Sequence, residues 1–457
     1  MSARPPAAGV GIFYFQSHRA SCCAPAGRWG QTDSEGRADS RAGREEEVEV
    51  RFDDSPFRAS SEEAMNSRLR HWREAATVLL AARRGAGAAD GASSSSSGPF
   101  DYELLMLRRS GRSAFMPSAH VFPGGVADAA DFSADWLALL PAGAPRCGLS
   151  AVRAGAPRAP LFTAERPELG EAALPGDVAL RICAIRETFE EAGVLLLVPA
   201  GAQGAALAAA PGPATLLPPE RLPPPAELAE WRRRVQRQPG SFLQLCRRLR
   251  CAPNIWALHE WNNWLTPIGR PGAVGREDRR FDTAFYVCCL GQRAPSASLD
   301  QAEVTAYQWS MPSEAIELFK SQKIWIPPPQ LYELYRLCNF SSLSDLHKFA
   351  SERALEGCER WMSVLLIAPD GFIQLLPGDE LYPEDPDFTG ERKPVLTTHK
   401  KIEDIMKEAN RLHRIVTQGL SNVTIHVNIE PQYKHINPFV MNSNTENNTD
   451  SNSNSRL

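Results

Sequence analysis

The stretch with the plainest chemistry is Arg186-Glu-Thr-Phe-Glu-Glu-Ala-Gly193. Glu187, Glu190 and Glu191 fall at i, i+3 and i+4, so on a helix all three carboxylates leave from one face. Like charges at that spacing weaken a helix by roughly 0.2–0.5 kcal/mol per pair, a cost that a bound cation removes. Mg²⁺ takes oxygen ligands and is commonly held by one or two carboxylates together with substrate phosphates. The triplet therefore suits Mg²⁺ or Mn²⁺ set against a pyrophosphate, with Arg186 able to pair with a neighbouring glutamate and fix its rotamer. The competing reading is a solvated acidic face. Gly193 in the position of a C-cap and the apolar run right behind it favour a packed helix end instead.

Positioning such a cluster takes a scaffold, and the chain patterns as one. Val178, Ile182, Ile185 and Phe189 recur at helical spacing and carry the acids on one helix. "VLLLV" after Gly193 reads as a strand. Ala76 to Ala82 is an apolar run suited to a buried strand, and "FDYELLMLRRS" pairs with it as a hairpin across a Gly/Ala/Ser linker. A Pro-Gly-Gly turn stands at 123–125. "ELAEWRRRVQ" and "FLQLCRRL" read as helices whose arginines form a solvated face. "IWALHEWNNWLTPI" and "RRFDTAFYVCCL" read as strands, and "PSEAIELFK" as a helix with Ser313 as its N-cap. "LSDLHKFASERALEGCERW" is a further helix, followed by a hairpin about Pro369-Asp370-Gly371. Alternating strands and helices with interspersed hairpins imply an α/β domain with a mixed sheet.

Composition bounds the rest. The 457 residues include 37 Pro and 32 Gly gathered into tracts, and the net charge of −4 gives no bulk attraction to nucleic acid or an anionic membrane. Ten cysteines include no Cys-x-x-Cys pair, which argues against a zinc ribbon and fits a reducing interior. No apolar run is long and unbroken enough for a membrane span. Residues 1–64 read as a disordered extension, and 431–457 as a disordered tail ending in Ser455-Arg456-Leu457. That ending has the form of a Ser-Lys-Leu-type peroxisomal address with Arg in the basic slot.

The acidic string resembles the second half of the Nudix box, Gly-x5-Glu-x7-Arg-Glu-U-x-Glu-Glu-x-Gly-U, with U an apolar residue. An Arg-Glu-x-x-Glu-Glu-x-Gly match arises by chance in fewer than about one in a thousand chains of this length. Thr188 fills a usually larger apolar slot. Counting back from Arg186, the box Gly would fall on Ala172 and its Glu on Val178. The missing half lies earlier, as Gly124-Gly125, five residues, then Asp131 in place of Glu. On that reading the box is split by an insertion of about 47 residues, tolerable because loop-closure entropy grows only logarithmically. Ahead of it, Leu105, Met106, Arg109, Ser110 and Phe122-Pro123-Gly124-Gly125 stand in register with the signature of the coenzyme A diphosphatases, with Leu107, Ala114 and Ser118 departing from it.

Resemblance to the peroxisomal acyl-coenzyme A diphosphatases covers about residues 66–430. It implies a Nudix fold, a mixed β-sheet sandwiched between helices, over 66–340, with insertions near 132–175 and 199–225. A C-terminal helix-hairpin extension would pack on it over 341–430. It further implies hydrolysis of the pyrophosphate of coenzyme A or acyl-CoA with Mg²⁺ or Mn²⁺ held by Glu187, Glu190 and Glu191, in the peroxisome matrix, reached through an import receptor. Gly124, Gly125, Asp131, Arg186 and Gly193 would build the loop and helix, and Glu190 would accept the attacking water's proton, with Glu303 as rival. Arg109, Arg279 and Arg280 would meet the 3′-phosphate. The other readings are a Nudix hydrolase for a different nucleoside diphosphate derivative and a binding module that no longer turns over.

Overall fold

The computed structural model describes residues 69, 72–85, 99–113, 115–140, 152, 158–267, 280–299, 303–388, 395–419 and 422–439, all within one compact unit, Arg58–Leu457. The expected disorder of 1–64, Ala114, Arg279 and Ser455-Arg456-Leu457 lie outside the described residues.

At the centre of the main sheet β1 (Arg73–Arg83) and β2 (Tyr102–Arg109) pair antiparallel, the expected hairpin. Two short strands follow, β3 (His120–Val121) and β4 (Gly124–Val126). A one-turn helix α1 (Pro160–Thr163) precedes the acid-bearing helix α2 (Gly176–Ala192). Beyond it come β5 (Leu197–Pro199), α3 (Ala202–Ala208), α4 (Pro225–Arg237), α5 (Ser241–Leu249) and β6 (Cys251–Pro253). Strands β7 (His259–Leu265), β8 (Phe281–Arg293) and β9 (Val304–Ser310) return to the main sheet. Helices α6 (Pro312–Lys320), α7 (Pro328–Leu337) and α8 (Leu343–Arg353) cover its other face, and β10 (Arg360–Met362) closes an edge.

Among the described residues the sheet runs β10-β7-β8-β1-β2-β3, with β4 also paired to β1 and β9 to β2. The long central ladder, β1 against β8, is parallel and buried on both faces, which is why Ala76–Ala82 reads as a continuous apolar run without alternation. Val78 and Leu80 on one face pack with Ile182, Ile185 and Phe189 of α2. On the other face Leu79 and Phe285 pack with Ile316, Leu331, Leu334 and Leu337. The mixed sheet is sandwiched between helices, as expected for the class.

Several local expectations are corrected. The Pro-Gly-Gly segment does not simply turn: Gly124 and Gly125 enter β4 and pair with Thr77 and Ala76. Of "VLLLV", only the end is strand, because Val194–Leu196 bury their side chains while the chain leaves the helix. The tract at 199–225 contains α3. Met311, not Ser313, is the N-cap of α6; its N–H donates to Glu314 Oε2, and Pro312 holds the first helical position. The helix beginning at Leu343 stops at Arg353, and "RW" (Arg360-Trp361) becomes β10 beside β7. The C-terminal part is more than a helix and hairpin. It forms a five-stranded sheet from β11 (Val364–Ala368), β12 (Gly371–Leu375), β13 (Val395–Thr397), β14 (His413–Gln418) and β15 (Asn422–Val427), with helix α9 (Ile402–Glu408) against it. The β11–β12 hairpin is legible around its Pro-Asp-Gly turn, whereas β13 is only three residues long and β14 and β15 carry polar residues among their apolar ones.

Candidate active site

Helix α2 is buried on nearly every side, so its acids are set by packing and not by solvent. Thr188, in the slot usually filled by a larger apolar residue, is fully buried and donates to Ala184 O at 2.7 Å, which satisfies its hydroxyl inside the helix. The helix ends where Gly193 adopts φ 71 and donates to Phe189 O; a side chain there would be strained and would meet Ser298 Oγ.

Arg186 organises the site. Its guanidinium grips Asp131 with two bonds of 2.9 Å, donates to Glu187 Oε1 at 2.9 Å and Glu190 Oε1 at 2.6 Å, and also reaches Val126 O. Asp131 is buried, and its other task is local: its Oδ2 accepts from Asp128 N, closing a capping box on the turn Ala129–Phe132. The two halves of the box, 54 residues apart in sequence between Asp131 and Arg186, thus meet through one bidentate ion pair. Gly125 lets this happen by close approach: a Cβ on it would sit 2.4 Å from the Glu187 carboxyl carbon. Gly124 N–H donates to Glu191 Oε2 at 2.9 Å.

The insertion itself is built in. Arg166 forks onto Glu74 of β1 with two 2.9 Å bonds and also donates to Leu161 O and Ala164 O. Arg158 joins Asp177 at the start of α2 and Glu260 of β7. These anchors tie the described end of the insertion to α2, β7 and β1.

The acids open into a cleft of about 510 Å³ that Gly124, Gly125, Arg186, Glu187, Glu190, Glu191, Glu303 and Arg109 all line. Glu303 stands immediately before β9, where its carbonyl accepts from Ser110 N, and its charge helps raise the pKa of Glu190 and Glu191. The arginines part company. Arg109 donates to Phe115 O and Ser113 Oγ and so serves its own loop, although its charge opposes the upward shift of Glu191. Arg280 is not among the cleft-lining residues and lends its carbonyl to Arg73 N. Arg73, which sequence reasoning passed over, does line the cleft.

Another omission is Arg232. The sequence places it on a solvated arginine face, yet it is buried, donates to Glu190 O at 2.6 Å and to Ser298 O at 2.7 Å, and holds the end of α2 from outside. Gln236 Nε2 donates to the same Glu190 carbonyl at 3.0 Å. The signal was present: Arg232 shares a helix face with Leu228 and Val235.

Burial pushes the Glu187 carboxyl up to about 8, with Glu190 and Asp131 adding to the shift and Arg186 opposing it. Burial also raises Glu190, and raises Glu191 further with the help of Glu187. Among the described residues no three His, Cys, Asp or Glu side chains converge as a ready metal cage; the acids are turned onto Arg186 and Gly124 instead. The donor set nevertheless fits a hard divalent cation. It is all carboxylate oxygen, desolvated and mutually repelling, and a cation would relieve that repulsion.

Comparison with known proteins adds the context. A family model described as the NUDT19 Nudix domain matches residues 72–337, and one described as the NUDT19 C-terminal domain matches 365–428. The chain is 62% identical over 398 residues to acyl-coenzyme A diphosphatase NUDT19 of Gallus gallus, covering 86% of this chain and 100% of that protein. It is 50% identical over 385 residues to the Homo sapiens protein of that name, covering 82% and 97%. Putative nudix hydrolase 7 of Caenorhabditis elegans is 25% identical over 311 residues, covering 68% and 75%. A crystal structure of a Nudix hydrolase from Alicyclobacillus acidocaldarius aligns at 22% identity and a TM-score of 0.39, over 59% of this chain and 92% of that one.

Proposed function

Because the chain belongs to the Nudix hydrolases, in the branch defined by the NUDT19 Nudix domain, we propose that it hydrolyses the pyrophosphate of coenzyme A and of acyl-CoA esters. The products are 3′,5′-ADP and 4′-phosphopantetheine or its acylated form. The observation that carries the reading is the Arg186–Asp131 junction, which rebuilds a split Nudix box at the edge of one acid-lined cleft. Nudix hydrolases generally use divalent metals, and Mg²⁺ or Mn²⁺ is the cofactor we infer, held by Glu187, Glu190 and Glu191.

When bound, such an ion neutralises pyrophosphate charge and lowers the pKa of a coordinated water. The chain's own residues do the rest. Gly124 N–H fixes Glu191, and Arg186 orients Glu187 and Glu190 from behind. Water attacks one phosphorus and the bond from that phosphorus to the bridging oxygen breaks. Glu190 accepts the water's proton, and Glu303, which lines the same cleft, is the alternative acceptor. Arg232 and Gln236 hold the backbone beneath Glu190 and so keep its carboxylate in register.

Product analysis tests this. Purified protein with Mg²⁺ or Mn²⁺ is expected to release 3′,5′-ADP from coenzyme A, and Glu187→Gln to lower kcat by at least about a hundredfold, the scale of losing an electrostatic catalytic group. No metal-dependent release, with Glu187→Gln indistinguishable from wild type, would overturn the reading.

We also propose the peroxisome matrix as the location, from Ser455-Arg456-Leu457 read by an import receptor. Deleting Arg456-Leu457 should leave a tagged protein in the cytosol; unchanged organelle staining would reject the address.

A further inference from the structure

Among the described residues three arginines line the cleft, and two have fixed duties. Arg186 is engaged by Asp131, Glu187 and Glu190, and Arg109 by its loop. Arg73 is exposed, and among the described residues its guanidinium makes no hydrogen bond or ion pair.

Its surroundings are ordered. In the parallel ladder Arg73 lies opposite Phe281, Ala75 opposite Thr283 and Thr77 opposite Phe285. Alternate residues share a face, so these six line one side of the cleft, with Arg73 and Phe281 at one end, Ala75 and Thr283 between, and Thr77 and the buried Phe285 at the other. The other end is the catalytic one: Thr77 pairs with Gly124, whose N–H holds Glu191. Thr77 lies four steps along the strand from Arg73, about 13 Å at about 3.3 Å per residue, and a long arginine side chain shortens the gap. The Phe115 ring packs edge-on against Phe281 with centroids 4.8 Å apart. Phe115 comes from the loop that Arg109 pins, in which Met116 (φ 49) and Ser118 (φ 61) hold left-handed conformations. Backbone strain of that kind gathers where a ligand wall must be rigid.

Resting on the function proposed above, we propose that Arg73, Phe281 and Phe115 form the subsite for the phosphorylated nucleoside end of the substrate. Coenzyme A carries one phosphate monoester beyond its pyrophosphate, on the ribose 3′ oxygen, and among the described residues Arg73 is the cleft cation left for it. A guanidinium meets phosphate oxygens with two parallel bonds. The purine lies against the aromatic pair, whose faces and edges suit a flat ring.

Binding and turnover together test this. Calorimetry should show 3′,5′-ADP binding wild type about tenfold or more tighter than 5′-AMP, the worth of one charge-assisted phosphate contact. Arg73→Ala should bring that ratio close to one, Arg73→Lys should keep part of it, and Arg233→Ala, on the exposed face of α4, should leave it unchanged. Phe281→Ala should weaken both nucleotides by a similar factor. The preference for coenzyme A over dephospho-coenzyme A in kcat/KM should fall with Arg73→Ala in step with the binding ratio. Equal binding of the two nucleotides by wild type, or a ratio kept by Arg73→Ala, would overturn the subsite. So would a Phe281→Ala variant that changes only the dependence on acyl-chain length. Absence of turnover in wild type fails the proposed function, while the nucleotide ratio still decides the subsite.

Discussion

At the scale of single residues the site is governed by one buried cation. Arg186 and Asp131 are both almost fully buried, so removing Asp131 takes from Arg186 its bidentate partner and leaves it Glu187 and Glu190 alone, at a cost approaching the roughly 3–5 kcal/mol of breaking a buried pair. Asp131→Ala is therefore expected to lower stability by about that amount in denaturant titration and to reduce activity with it, while Asp131→Glu, which keeps the carboxylate, should lose less. An Asp131→Ala protein as stable as wild type would show that the two halves are not joined by this pair. Protons act on the same cluster. A carboxyl raised from about 4.5 to about 8, as burial does to Glu187, binds more protons folded than unfolded between those values. Ion-free protein should thus lose stability as pH rises through that window, and Mg²⁺ or Mn²⁺ should restore the melting midpoint most at its upper end. A midpoint that rises with pH in metal-free buffer over that range would contradict the assignment. The acids, Gly193 and Asp131 were legible from spacing. Arg73 was not, because nothing in sequence brings the first residue of β1 beside Phe281, more than 200 positions later.

At the scale of elements, what was hardest to read is what was inserted. Ala/Pro/Gly-rich sequence between the box halves has no periodicity, yet it supplies Arg158 and Arg166, which tie it to α2, β7 and β1. Sequence patterning detects faces that repeat, and a lone arginine in a polar tract repeats nothing. The helix and the central strands were legible for the opposite reason: long runs with one dominant environment. Arg166→Ala is expected to destabilise by about 3 kcal/mol, since it takes a bidentate partner from Glu74 and a donor from each of two carbonyls near the core. Rescue by Glu74→Gln in the Arg166→Ala background, measured by a double-mutant cycle, would establish the coupling, and strictly additive effects would deny it.

At the scale of the molecule the C-terminal part is no appendage. Leu343, Leu346, Trp361, Ile415 and Ile425 belong to the same buried cluster as Leu79 and Leu104, and β10 covers the edge of β7. A domain boundary near 340 divides the primary structure but cuts through this packing. A chain ending at residue 340 should expose that apolar face and the β7 edge together, and so be recovered aggregated. A soluble, monomeric truncation with full activity would show the extension to be independent.

The parallel pairing of β1 with β8 also sets a clock. At about 5–20 residues per second, the ribosome takes on the order of 10–40 s after finishing β1 to reach the end of β8. Throughout that interval the Ala76–Ala82 run has partners on one edge alone, β2 and then β4, and its other edge stands open to any passing strand. This protein reaches its native sheet only late in its own synthesis, and until then the nascent chain depends on being shielded.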